Sequence, residues 1–337
     1  MNADALLEEI GVDKSKHRDL HVTRMFSAFV VVSEGKVISV TEPSMSHCPL
    51  ARHFYPEYAD SAAARERIRG YIARAAQEKI ARFGFFTGKR ELVRERIEVP
   101  YGASEMLMYA LRKGVIDAAV VACDGAGTVV VDRPEVVQGI GARMNGLFFT
   151  TPIREVVERL ASEGCRVVSK NGEIDQIRGL REAARMGFRS IAVTISAFMD
   201  ERLSDLREVE MKTGVRAVSL MVCATGVRAE RLREMEAGAD LVWACGSPEL
   251  RTIVGKKAIL QITTKIPVYV LTVKGLSFVS AYSSNPGLIQ GLDDGKQHLI
   301  AGNRRGTRLT MGSFQTYLSE AELPVRDPDE PTFSAGE

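Results

Sequence analysis

No stretch of this 337-residue chain approaches the roughly 20 consecutive apolar residues that span a bilayer. The opening, Met1 to Ile10, is acidic and lacks the basic and apolar regions of a secretory signal, so the sequence predicts a cytoplasmic protein. An excess of one charge is missing too. Lys plus Arg number 45 against 43 for Asp plus Glu, which leaves no basic footprint for nucleic acid. Cysteine is sparse: five residues, odd in number and widely spaced, with no Cys-x-x-Cys. That pattern excludes a disulfide framework and marks the cysteines as reduced thiols, ligands or nucleophiles. What the chain does have is 45% apolar residues, enough for one large packed domain or two of ordinary size.

Two apolar runs, Phe26 to Val32 and Val37 to Val40, are separated by Ser33-Glu34-Gly35-Lys36, a β-hairpin signature. Asp60 to Arg82 has an Ala and Ile stripe opposite a charged, solvated face and predicts a helix closed by Gly84. Ser104 to Lys113 predicts another. From there apolar runs alternate with helical segments: strands near Val167, Ser190 to Ile195, Arg216 to Cys223, Asp240 to Cys245 and Pro267 to Val273. Helices of 10 to 14 residues between such strands predict an α/β fold with a mostly parallel sheet covered by helices on both faces. The expected organisation is an N-terminal hairpin and helical segment (1–114), an α/β core (115–275), and a partly disordered extension (276–337) in which Arg304, Arg305 and Arg308 form a solvated basic cluster.

On this scheme Cys123, Cys223 and Cys245 each close a strand and are followed within three residues by glycine. All three fall at the carboxyl edge of the sheet, where open α/β folds bind ligands. Cys165 precedes its strand and is the structural one. Cys48, beside His47, would reach the same edge by a loop. Cysteine also packs as a small apolar residue, which is the competing explanation for each position. If the thiols bind a metal, thiolate donors favour zinc or an iron–sulfur cluster over magnesium or calcium.

The densest glycine region runs from Asp117 to Pro152. Gln138-Gly139-Ile140-Gly141-Ala142-Arg143-Met144 begins like a dinucleotide fingerprint but has Met144 at the third glycine position, so a Rossmann site is not expected. Two readings of Cys123-Asp124-Gly125-Ala126-Gly127-Thr128 stand side by side. In one, Gly125, Gly127 and Thr128 point N–H groups at a small anionic ligand, with Gln138, Gly139, Gly141 and Arg143 in the same cavity. In the other, the segment is a tight turn between adjacent strands. Cys123 and Asp124 are the candidate catalytic residues, a thiol beside a carboxylate, and Asp175 is either a second carboxylate or the N-cap of the helix beginning at Gln176.

The strings Val121 to Thr128, Val137-Gln138-Gly139-Ile140-Gly141, Thr151-Pro152-Ile153, Ile174-Asp175-Gln176, Ile191-Ala192-Val193-Thr194 and Cys48-Pro49-Leu50 occur in the order seen in the methanogenesis marker protein 8 family. The chain resembles that family over about residues 20 to 275. The resemblance implies a setting in archaeal methane metabolism and assigns no reaction. Within it, two functions are in view. One is a redox or cofactor-maturation protein with a metal or iron–sulfur cluster on Cys48, Cys123, Cys223 and Cys245. The other is a non-catalytic accessory protein that binds an anionic cofactor or phosphate at the glycine-rich loop.

Overall fold

The computed structural model describes residues 1–43, 45–47, 65–330 and 332–333. Its helices are α1 (Ala3–Glu9), α2 (Arg65–Phe83), α3 (Ala103–Arg112), α4 (Pro134–Gly141), α5 (Arg154–Ser162), α6 (Gln176–Arg185), α7 (Leu203–Thr213), α8 (Ala229–Gly238), α9 (Pro248–Ile253), α10 (Val273–Ser280) and α11 (Pro286–Gln290). The strands are β1 (Leu20–Met25), β2 (Ala28–Ser33), β3 (Lys36–Val40), β4 (Met45–His47), β5 (Ala118–Cys123), β6 (Gly127–Val131), β7 (Leu147–Thr150), β8 (Arg166–Val167) and β9 (Ser190–Ser196). They continue with β10 (Arg216–Val222), β11 (Leu241–Trp243), β12 (Leu260–Ile262), β13 (Val268–Val270), β14 (His298–Ala301), β15 (Thr307–Met311), β16 (Phe314–Glu320) and β17 (Thr332–Phe333).

The predicted hairpin forms as β2 and β3 around the left-handed pair Glu34-Gly35. It belongs to a small antiparallel sheet, β3-β2-β1-β7, packed on both faces. Period-two alternation sorts β2: Val30 and Val32 face Ile72, Ala75 and Ala76 of α2, while Phe29 and Val31 face Leu6 and Leu7 of α1.

The large sheet has eleven strands in the order β15-β16-β14-β12-β13-β11-β10-β9-β5-β6-β8. Along β5, Ala119, Val121 and Cys123 join one core with α3, α4, α5, α10 and α11, and Ala118 and Val120 join the other with α6, α7, α8 and α9. Helices therefore cover both faces, as expected. The parallel prediction needs correction. The block β5-β9-β10-β11 is parallel, but six of the ten neighbour pairs are antiparallel, so the sheet is mixed. The cause lies in short connections. The turn after Cys123 is too tight for a crossover and returns β6 antiparallel to β5, and β12 and β13 are joined closely enough to form a second hairpin inside the sheet.

The segment expected as an extension also joins this sheet: β14 pairs parallel with β12, and β15 and β16 form its far edge. Its signal was present as Thr-Arg-Leu-Thr-Met, the turn Gly312-Ser313, and Phe-Gln-Thr-Tyr-Leu, an alternation suited to an edge hairpin with one wet face. Among the described residues, no helix is long and apolar enough to cross a membrane.

A candidate thiol-bearing cleft

At the carboxyl edge of the parallel block a cleft of about 1690 Å³ opens between the large sheet, the small sheet and α2. Strand ends supply its floor: Ala122 near the end of β5, Thr194 and Ser196 of β9, Cys223 just past β10, and Trp243 and Cys245 at and beyond β11. Parallel strands leave their last carbonyls and the following turn at one edge, and the loops there are free to carry side chains inward.

Cys223 and Cys245 meet here because β10 and β11 are neighbours. Their register pairs Leu220 with Leu241 and Met221 with Val242, so continuing it sets Cys223 opposite Ala244, one residue short of Cys245. Adjacent strands lie about 4.8 Å apart, so the two residues are near neighbours at this edge. Both line the cleft, and Cys245 is close enough to act electrostatically on Cys223. Beyond the strands the pair of chains stays joined, since Gly246 N donates to Thr225 Oγ1 at 3.4 Å. Cys223 itself takes a left-handed backbone at φ 57°, and its sulfur lies 2.6 Å from where a Cβ on Gly146 would sit. Only glycine at 146 leaves that sulfur its place. Burial pushes the Cys223 thiol up to about 12, and the neighbouring Cys245 adds to the rise while Arg24 opposes it. On the other side, the buried Arg251 fixes the Cys245 backbone by donating from Nη2 to its carbonyl at 3.0 Å, and Glu330 ion-pairs Arg251 at 3.2 Å. Both cysteines are unbridged.

Cys123 is elsewhere. β9 and β10 separate its strand from β11, three strand spacings or about 14 Å. The expectation that Cys123 and Cys245 share a ligand set is corrected by that strand order. Cys123 is fully buried in the core and does not line the cleft; burial, then the Asp124 charge, drives its thiol far above the usual range. Asp124 is equally buried and fully engaged: Arg90 Nε donates to Oδ1 at 2.8 Å and Phe86 N to Oδ2 at 2.6 Å. Cys165 is buried before β8, and Cys48 lies outside the described residues.

The glycine-rich residues also have protein partners. Gly125 and Gly127 form the hairpin turn between β5 and β6 with positive φ, Gly125 N donates to Thr150 Oγ1 at 2.8 Å, and Thr128 N donates to the Glu173 carbonyl at 3.0 Å. Thr128 Oγ1 donates to Gln176 Oε1 at 2.8 Å. Gln138, Gly139 and Gly141 are helical, within α4. A Cβ at Gly139 would sit 2.1 Å from the Leu92 carbonyl, and one at Gly141 would sit 2.4 Å from Ser104 Cβ, so both glycines let α4 pack closely on its neighbours. Gln138 Nε2 donates to the Arg96 carbonyl and to Glu105. Arg143 does line the cleft, but its guanidinium pairs with Glu98 and stacks on Phe83. The Gly125 to Thr128 turn is not among the lining residues, so Arg143 and that turn do not share the cavity. Asp175 is the N-cap of α6 and accepts from Arg178 N at 2.8 Å.

Three cleft residues had no signal in the sequence. Arg24 sits inside an apolar strand, Lys79 on a helix rich in charge, and Glu201 in a loop. Burial, then Arg143, lowers Lys79 to about 7, and its Nζ donates to the Arg143 carbonyl at 2.9 Å. Burial, then Asp175, raises Glu201 to about 7, although Gln176 N donates to its carboxylate. The folded protein thus binds a proton at Glu201 more tightly than the unfolded chain does. The stability this gives is complete below about pH 4.5 and is lost as pH rises through 7. Glu201→Gln, which mimics the protonated side chain, is expected to leave the melting temperature nearly unchanged at pH 4.5. At pH 8 it should gain about 1–2 kcal/mol of stability, a discounted part of the shift because the residue is not fully enclosed. Melting curves at the two pH values check this, and equal effects at both would contradict it.

Among the described residues, no group of three or more His, Cys, Asp and Glu side chains is arranged to hold a metal ion. The two cleft thiols supply two donors. The strand that leads to Cys48 is β4, whose His47 pairs with Thr332 of β17.

Residues 21–282 match the family model described as an uncharacterized protein conserved in archaea (DUF2099). An uncharacterized protein of Methanocaldococcus jannaschii, MJ0054, is 36% identical over 257 residues, which covers 75% of this chain and 87% of that one. No solved structure matches the chain. With the match extending over most of its length, the chain belongs to this archaeal family.

Proposed function

We propose that the chain is a methanogenesis marker protein 8-type protein of methane metabolism that holds a metal ion or iron–sulfur cluster in the cleft, on Cys223, Cys245 and Cys48. The observation that carries this reading is that Cys223 and Cys245 follow the ends of adjacent parallel strands and line one large cavity. Two further facts support it. The relative in Methanocaldococcus jannaschii is consistent with the metabolic setting. The backbone just before Cys48 pairs with β17, and the residues leading into β17, Asp329 and Glu330, bind Lys265 and Arg251 beside Cys245. Thiolate donors suit zinc or an iron–sulfur cluster, and neither a magnesium nor a calcium site is built from sulfur. Cys123 and Asp124 have no role in this reading, since both are engaged in the core.

Protein purified without oxygen is expected to contain zinc, or iron with acid-labile sulfide and broad visible absorption, in a fixed ratio to the chain. Protein that is metal-free as prepared, and stays so after anaerobic reconstitution with zinc or with iron and sulfide, would contradict the proposal. A second reading, a non-catalytic accessory protein that binds an anionic ligand, is favoured by a different observation: the surroundings of Arg24.

A further inference from the structure

Arg24, on β1, carries its charge into the wall of the cleft, where no carboxylate among the described residues meets it. Nε donates to the Ser27 carbonyl at 3.1 Å and Nη1 to the Thr225 carbonyl at 2.8 Å, which fixes the plane of the fork. Phe29 and Phe198 take its faces, with ring centroids 5.1 and 4.6 Å from the guanidinium carbon. Among the described residues Nη2 has no hydrogen-bond partner, and no Asp or Glu ion-pairs the group. Two other cations of the cleft, Arg143 and Lys265, differ. Arg143 is paired with Glu98, and Lys265 with Asp329. Lys79 also meets no carboxylate among the described residues, but its ammonium is engaged by the Arg143 carbonyl and by Asn145 Oδ1.

Burial lowers the Arg24 pKa, with only the two cleft cysteines opposing the shift. Taking a cation out of water without an anion is unfavourable, and the aromatic faces and carbonyl groups compensate only in part. A rigid fork with donors turned to an open cavity is the arrangement that receives an oxyanion. The neighbouring walls are apolar, with Met25, Phe26, Met199, Phe148 and Trp243 lining the same cleft. A free inorganic anion would gain nothing from them.

We infer that the cleft binds an amphipathic organic acid, with a carboxylate, sulfonate or phosphate-monoester head on Arg24 and an apolar body along the walls. This goes beyond the metal reading and does not depend on it. Titration calorimetry with octanoate, octane-1-sulfonate and octyl phosphate tests the inference and separates the three head groups; octanamide and inorganic phosphate serve as comparisons. At least one octyl acid should bind wild-type protein, and both comparison compounds should bind about tenfold more weakly or worse. Arg24→Gln should lose about tenfold or more in affinity for that acid, Arg24→Lys should fall between, and the exposed Arg154→Gln should match wild type. The Cys223→Ser/Cys245→Ser double variant should retain binding, which separates this inference from the metal. Equal binding of octanamide, no binding of any octyl acid, or an Arg24→Gln protein with native melting and undiminished affinity would each overturn it. If Arg24→Gln does not fold, the acid-against-amide comparison on wild type decides the matter alone.

Discussion

Asp124→Ala is expected to destabilise the protein by about 3–5 kcal/mol, the cost typical of leaving one member of a buried ion pair without its partner. Asp124 and Arg90 are each almost wholly shielded from solvent. The Arg90 guanidinium is held on every side. It donates from Nε to Asp124, from Nη1 to the Glu91 carbonyl at 2.6 Å, and from Nη2 to the Gly139 and Ile140 carbonyls at 3.1 and 2.8 Å. Phe85 lies against it, 3.8 Å from the guanidinium carbon to the ring centroid. One side chain thereby ties the loop after α2, the β5–β6 turn and the end of α4 together. Removing the carboxylate leaves a cation and the Phe86 N–H buried without their acceptor. Chemical denaturation of Asp124→Ala and of Asp124→Asn measures the effect. Asn keeps an acceptor for Phe86 but no charge for Arg90, so it should still be strongly destabilised. If either variant were as stable as wild type and altered only ligand binding, Asp124 would be a site residue and the structural assignment would be wrong.

Gly127→Ala is expected to cost more than about 2 kcal/mol, because backbone strain and a collision act together. The φ of Gly127 is +74°, which L residues adopt at a cost, and a Cβ there would lie 2.4 Å from the carbonyl oxygens of both Glu173 and Gly172. Those are backbone atoms and cannot swing aside. The hairpin turn would have to open or the 171–175 loop would have to move, and the latter also carries the N-cap of α6. The expected signature is a lower denaturation midpoint, with the cleft thiols and any bound metal unchanged in the folded fraction. Selective loss of an anionic ligand at unchanged stability would instead favour the ligand-loop reading of Gly125 to Thr128.

Local pattern made much of this molecule legible. The hairpin around Glu34-Gly35, the helices from Gln176 and from Ser104, and the parallel run through β9, β10 and β11 follow from periodicity and turn residues. The arrival of Cys223 and Cys245 at one edge was legible for the same reason: a strand's direction fixes which end its last residue occupies. The order of the strands was not legible. No local feature states that two strands lie between β5 and β11, and that order alone removes Cys123 from the thiol pair. Glycine misled in the Gln138 to Gly141 stretch, where it serves close helix packing and not a loop. Arg24 was invisible because a single cation in an apolar strand gains meaning only from what the fold sets around it.

The thiol-pair claim is tested most directly by the metal content of Cys223→Ser, Cys245→Ser, Cys48→Ser and Cys123→Ser, each prepared without oxygen and compared with wild type. Wild type and Cys123→Ser should carry the same metal per chain, and each of the other three should lose it while melting as a folded protein. Cys123→Ser that folds but loses the metal, together with Cys223→Ser that keeps it, would contradict the account.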